Sequence, residues 1–94
     1  MAKLQFGVRI DGTDYENALE EAQMAEALGY DFLVFSDQPS SKELEGWTLA
    51  TAIAANTTRV KLLHATLNLP WRYAPMLAKM GLALDHISKG RYIF

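Results

Sequence analysis

Three polar clusters in this sequence sit directly behind apolar runs. Asp11 follows Ile10; Ser36, Asp37 and Gln38 follow "FLVF"; Thr66, Leu67 and Asn68 lie at the end of the run that begins near Val60. Carboxylate, amide and hydroxyl groups at such points can hydrogen-bond a ligand, while Asp and Asn also serve as turn-formers that bond their own backbone. His64 lies inside an apolar run with no visible partner, which suits a core or strand-interior histidine better than a catalytic base. His86 falls near the end of a helical run, where it suits the helix dipole. Neither histidine has metal-ligand spacing with its neighbours, and the chain has no cysteine. No catalytic residue and no metal site is therefore assigned. Trp71 and Arg72, in the loop after the third run, either line a substrate mouth at its outer rim or anchor the loop on the helix that follows.

The elements that must carry these residues alternate. Strands are expected near residues 4–10, 31–36, 60–67 and 91–94, separated by segments of helical periodicity. The first helix opens on "TDYE", where Thr13 can cap and Glu16 can reach back; its stripe is Ala18, Leu19, Ala22, Ala25 and Leu28, and it closes at Gly29. The second, from Trp47 to about Asn56, is rich in alanine and can lie close against a sheet. The third starts at "APM", presents Leu77, Met80 or Gly81, Leu84 and Ile87, and stops at Gly90. Met24, Met76 and Met80 read as helix packing.

The strands begin about 28–31 residues apart, close to one unit of an eightfold barrel of ~250 residues. The order β-α-β-α-β-α-β implies a parallel sheet with right-handed crossovers. Little in/out alternation along the strands suggests that both sheet faces are covered. A doubly-wound nucleotide-binding sheet would carry a glycine-rich turn after its first strand. The turn here reads "RIDGTDYENA", with one glycine and several acids, so a barrel is the better reading. Barrel chemistry sits at the C-terminal strand ends, where the polar clusters lie.

Bulk properties narrow the classes further. The chain has 94 residues, half of them hydrophobic, and a net charge of −2. That allows one domain, residues 1–94, and disfavours nucleic-acid or anionic-membrane partners. No segment reaches membrane-spanning length and the N-terminus lacks a signal-peptide core, so a cytoplasmic protein is expected.

Four stretches in order resemble the luciferase-like flavin monooxygenase family: "LQFGVRI", "ALEEAQMAEALGYDFLVFSDQ", "ATAIAANTTRVKLLHATLNLPWR" and "LAKMGLALDHISKGRYIF". The resemblance implies the first half of a (β/α)8 TIM barrel, an α/β fold of four parallel strands and three helices. It also implies FMN or a deazaflavin coenzyme at the C-terminal face, and oxidation or reduction of a small organic substrate. Asp37 stands at the family's strand-two acid, and Gln38 where many deazaflavin-dependent members have a histidine. Thr66, Leu67 and Asn68 fall where the family often has a bulge with a non-prolyl cis peptide behind the isoalloxazine ring. The cofactor-binding set implied is thus Asp37, Gln38, Thr66, Leu67 and Asn68. Gln38 cannot titrate, so the histidine's acid/base role does not transfer, and "RYAP" places Tyr73 where the family more often has "RHP".

The family's flavin-phosphate site belongs to the second half of the barrel, whereas this sequence stops in strand four. Two expectations follow. The residues form part of a flavin-dependent oxidoreductase, with the chain alone expected to be inactive and its own flavin binding left open. Alternatively, the chain is a non-catalytic half-barrel that associates with itself, as a homodimer or higher oligomer completing a barrel, since a half barrel exposes two strand edges. Phe94 is expected to be buried, against another copy or further sequence.

Overall fold

The computed structural model describes residues 3–68, 70 and 72–94. Among them, the elements are β1 (Gly7–Arg9), α1 (Tyr15–Ala27), β2 (Phe32–Phe35), α2 (Gly46–Ala55), β3 (Lys61–His64), α3 (Ala74–Ser88) and β4 (Tyr92–Ile93). The strands form one parallel sheet in the order β1-β2-β3-β4. Gly7 pairs with Phe32, Phe32 with Lys61, and Leu62 with Tyr92. Each strand therefore lies beside its predecessor in the chain. A doubly-wound sheet reverses strand order at a switch point; this one does not, and the barrel reading of the sequence holds. The strands are shorter than expected, with β1 starting at Gly7 and β3 ending at His64.

Alternation along the strands decides where the core sits. Leu33, Phe35, Leu62 and Tyr92 point to one face and are buried with Ile10 and Val60 against the three helices. Phe32, Val34 and Leu63 point to the other face and are only half-buried, and Ile93 is 37% exposed. The helices of this chain cover one face; the other, apolar but only half-buried, is the face that a completed barrel would enclose. Phe94 is 76% exposed within this chain, its ring edge-on to Tyr92 at 5.2 Å, so its open surface faces the side where another copy or further sequence would pack.

The helices follow their small residues. Ala18, Ala22 and Ala25 bury one side of α1, which lets the helix approach the sheet closely, whereas Leu28 is exposed. Met24 and Met76 are exposed too; of the three methionines read as packing residues, only Met80 rests against the core. The cap of α1 is Asp14, one residue after the expected Thr13; its carboxylate accepts the Asn17 N–H at 3.0 Å. Thr13 is already engaged, because Asp11 accepts both its N–H and its hydroxyl in a local turn. Gly29, with φ +90, ends α1 as expected. At the end of α3, Lys89 and Gly90 both take positive φ.

The N-terminal ends of the strands are stitched by two charged side chains. The Glu26 carboxylate on α1 accepts the N–H groups of Thr58, Arg59 and Val60, at 2.6–2.9 Å for the nearest oxygen, and so fixes the entry to β3. The Arg91 guanidinium donates to the carbonyls of Ala54, Thr57, Val60 and Ser88, which binds the end of α2 to the start of β4.

These contacts give an acid-stability prediction. Burial raises the Glu26 pKa, but its three backbone donors and nearby Arg91 outweigh that and hold it below the ordinary glutamate value. A carboxyl lowered in the folded state stabilises above its unfolded pKa, and that contribution is lost as pH falls through the folded value. Urea unfolding should therefore show stability declining as pH drops below about 4.5. Glu26→Gln should be less stable at neutral pH and have a shallower acid slope; an unchanged slope would contradict this role.

Candidate functional site at the C-terminal strand ends

The centre of this face is a buried ion pair. Asp37 follows β2 and has a side chain with no exposed surface, while the Arg72 side chain is 9% exposed. The Arg72 Nη1 donates to both Asp37 carboxylate oxygens, and Nη2 donates to Glu45. The Asn68 N–H donates to Asp37 Oδ2 at 2.9 Å. Arg72, in the loop before α3, thus joins the end of β2, the start of α2 and the segment after β3. Its guanidinium also lies 5.9 Å from the centre of the Trp47 ring, a cation–π distance.

Glu45 does two jobs. As the N-cap of α2, its carboxylate accepts the N–H groups of Trp47 and Thr48 and the Thr48 hydroxyl. Burial raises its pKa, but the Thr48 and Trp47 hydrogen bonds and the Arg72 charge win and hold it low. The next residue, Gly46, is close-packed: a Cβ there would overlap the Ser36 carbonyl oxygen, so the start of α2 rests directly on the end of β2. The loop between β2 and α2 reaches back to β1, with Leu44 N–H on the Gly12 carbonyl at 2.8 Å and Arg9 paired to Glu43 at 2.6 Å.

His64 ends β3 beneath this network, on the helix side of the sheet. Its ring stacks on Trp47 with centroids 4.5 Å apart and 20° between planes, and its Nδ1 shares a 2.7 Å hydrogen bond with the Tyr92 hydroxyl. Its Nε2 is buried and, among the described residues, makes no hydrogen bond. Burial pushes the imidazole pKa down, against the opposing pull of the Gly46 backbone and Asp37. Burial and the Asp37 charge push the Tyr92 hydroxyl pKa up. Both groups are therefore neutral at pH 7, and the histidine takes the core role that its sequence context suggests.

The remaining sequence candidates divide by exposure. Gln38 and Thr66 are exposed, Leu67 and Asn68 are half-buried, and only Asn68 is seen bonded to Asp37. The Ala65–Thr66 peptide is cis, in the region where the family resemblance implies a non-prolyl cis bond. Asp11 is used in its turn with Thr13, Tyr73 is 76% exposed, and His86 lies on the exposed side of α3. Trp71 lies outside the described residues. Arg72 is not an outer-rim residue but the hub of the buried network. Glu45 carried no signal in the sequence, because glutamate is not a preferred N-cap. Its partner Arg72 is 27 residues away.

The Gly46 contact gives a local test of this packing. Gly46→Ala should cost about 1–3 kcal/mol of unfolding free energy through overpacking, measured by urea denaturation. A fully stable variant would show that α2 is free to move off β2.

Comparison with known proteins bears on the family and the fold. The luciferase-like monooxygenase family model matches residues 3–94. A coenzyme F420-dependent tetrahydromethanopterin reductase from Methanopyrus kandleri superposes with a TM-score of 0.84 at 25% identity, over 98% of this chain and 26% of that one. The oxygenating constituent of 3,6-diketocamphane monooxygenase from Pseudomonas putida, solved with FMN, gives 0.87 at 21% identity over 98% of this chain and 29% of that one. Monooxygenase RslO1 from Streptomyces bottropensis gives 0.76 at 24% identity over 95% and 31%. The chain thus spans about a quarter to a third of the length of these structures. With the family model matched over nearly its whole length and a parallel sheet in sequential order, the chain belongs to the luciferase-like monooxygenase family.

Proposed function

We propose that this chain supplies the N-terminal half of a barrel that uses FMN or a deazaflavin to oxidise or reduce a small organic substrate. The observation that carries the reading is the tethered segment at residues 65–68. It lies at the C-terminal strand ends of a family member, and the buried Asp37 holds its Asn68 amide. The residues present fit such a cofactor. Leu67, packed in part against the core, leaves the rest of its apolar surface to a ring face, and the exposed amide of Gln38 and hydroxyl of Thr66 offer donors and acceptors to a polar edge. A bound flavin would supply the hydride or oxygen chemistry, and the chain supplies position and electrostatics. In this scheme Gln38, Thr66, Leu67 and Asn68 contact the ring or substrate, while Asp37, fully enclosed, acts through Asn68. Gln38 orients by hydrogen bonding and moves no proton.

A second reading draws support from the uncovered sheet face. Phe32, Val34 and Leu63 are half-buried, Ile93 and Phe94 are exposed, and β1 and β4 are free edges among the described residues. Two copies, each placing β4 beside the other's β1, would give eight parallel strands and cover that face. In this reading the chain is a self-associating module without activity of its own.

One experiment separates the two. Solution mass is measured, and FMN and the deazaflavin coenzyme are titrated while flavin fluorescence is followed. Flavin binding that Asp37→Ala weakens by roughly tenfold supports the first reading, and an unchanged affinity removes Asp37 from the site. An oligomer with no affinity for either flavin supports the second reading and contradicts an enzyme built from this chain alone.

A further inference from the structure

We infer that Arg72 is a positioning residue: acting through Asp37, it fixes the backbone amide of Asn68 and so the shape of the surface formed by residues 66–68. This rests on the proposed flavin reading for its functional meaning, but its structural basis is independent of that reading. Asp37 has two oxygens and three observed donor contacts: Arg72 Nη1 bridges both oxygens, and the Asn68 N–H takes Oδ2. A carboxylate held by one donor retains freedom to rotate; a guanidinium nitrogen touching both oxygens restricts that freedom. With Asp37 so oriented, Oδ2 is aimed at the Asn68 amide 31 residues further along the chain.

Arg72 is itself fixed. Its second nitrogen is held by Glu45, whose own orientation is set by the first turn of α2, and its plane lies over Trp47. The line of restraint therefore runs from the α2 cap through Arg72 and Asp37 to the backbone after β3. Arg72, Asp37 and Trp47 are largely enclosed, so water competes poorly for the bonds between Arg72 and Asp37, while Glu45 and Asn68 are partly exposed. A lysine at position 72 would keep the charge but could not span Asp37 and reach Glu45 with fixed, coplanar donors.

Amide hydrogen exchange on the full 94-residue chain, resolved by residue, tests this without any ligand. In Arg72→Gln the Asn68 amide should exchange roughly tenfold faster or more, while core amides such as that of Leu62 change far less. Arg72→Lys should be intermediate. A wild-type rate at Asn68 in Arg72→Gln overturns the proposal, as does an equal acceleration at every core amide, which would mean only general loosening. Should Arg72→Gln not fold, Arg72→Lys decides: selective acceleration at Asn68 supports the proposal, and an unchanged or uniformly altered profile overturns it. FMN titration of the same proteins reads the functional half. Weaker FMN binding in Arg72→Lys, in step with Asn68 exchange, links the clamp to the cofactor surface. Absence of binding by wild type counts against a flavin site built from this chain alone while the exchange result still stands.

Discussion

A guanidinium taken out of water must be met by carboxylates and hydrogen bonds, or it destabilises the fold that encloses it. Arg72 meets that condition with Asp37 on one side and Glu45 on the other, over the face of Trp47. Asp37 follows β2, Glu45 and Trp47 open α2, and Arg72 itself lies in the loop before α3, so satisfying one charge fixes three segments of chain. The end of β2, the first turn of α2 and the backbone after β3 cannot drift apart without exposing or unpairing a buried ion. That constraint gives the C-terminal face its shape, and Gly46 completes it by letting α2 rest on the Ser36 carbonyl.

The two ends of the sheet do different work with the same kinds of residue. At the N-terminal end, Glu26 and Arg91 spend their hydrogen bonds on backbone groups at element termini. Those contacts satisfy donors and acceptors that strands and helices leave open, and they bind the βα units into one body. At the C-terminal end, Asp37 and Glu45 also hold backbone amides but are in addition joined to each other through the Arg72 side chain, and exposed Gln38 and Thr66 follow nearby in the chain. This division matches the general asymmetry of βα barrels, in which one rim stabilises and the other carries function.

The strand spacing and the glycine-poor first turn made the architecture legible before any coordinates, because both follow from local pattern. Caps were less legible: Thr13 and Asp14 are adjacent and both competent, and Asp11 decides between them by engaging Thr13. Asp37, Gln38 and the segment at Thr66, Leu67 and Asn68 could be singled out from their position at strand ends. The Asp37–Arg72 pair could not, since 35 residues separate the partners and no local signal marks an arginine as buried. Phe94 lies against Gly81 and Tyr92 with most of its surface open in this chain, so what its type suggests about burial depends on what packs beside β4.

The central claim is that the Asp37–Arg72 pair organises this face, and a double-mutant cycle on unfolding free energy tests it most directly. Asp37→Asn, Arg72→Met and the double variant remove each charge singly and together. The account predicts a coupling of about 2 kcal/mol or more, with the double variant less destabilised than the sum of the single ones. A coupling below about 0.5 kcal/mol, as found for independent sites, would contradict it.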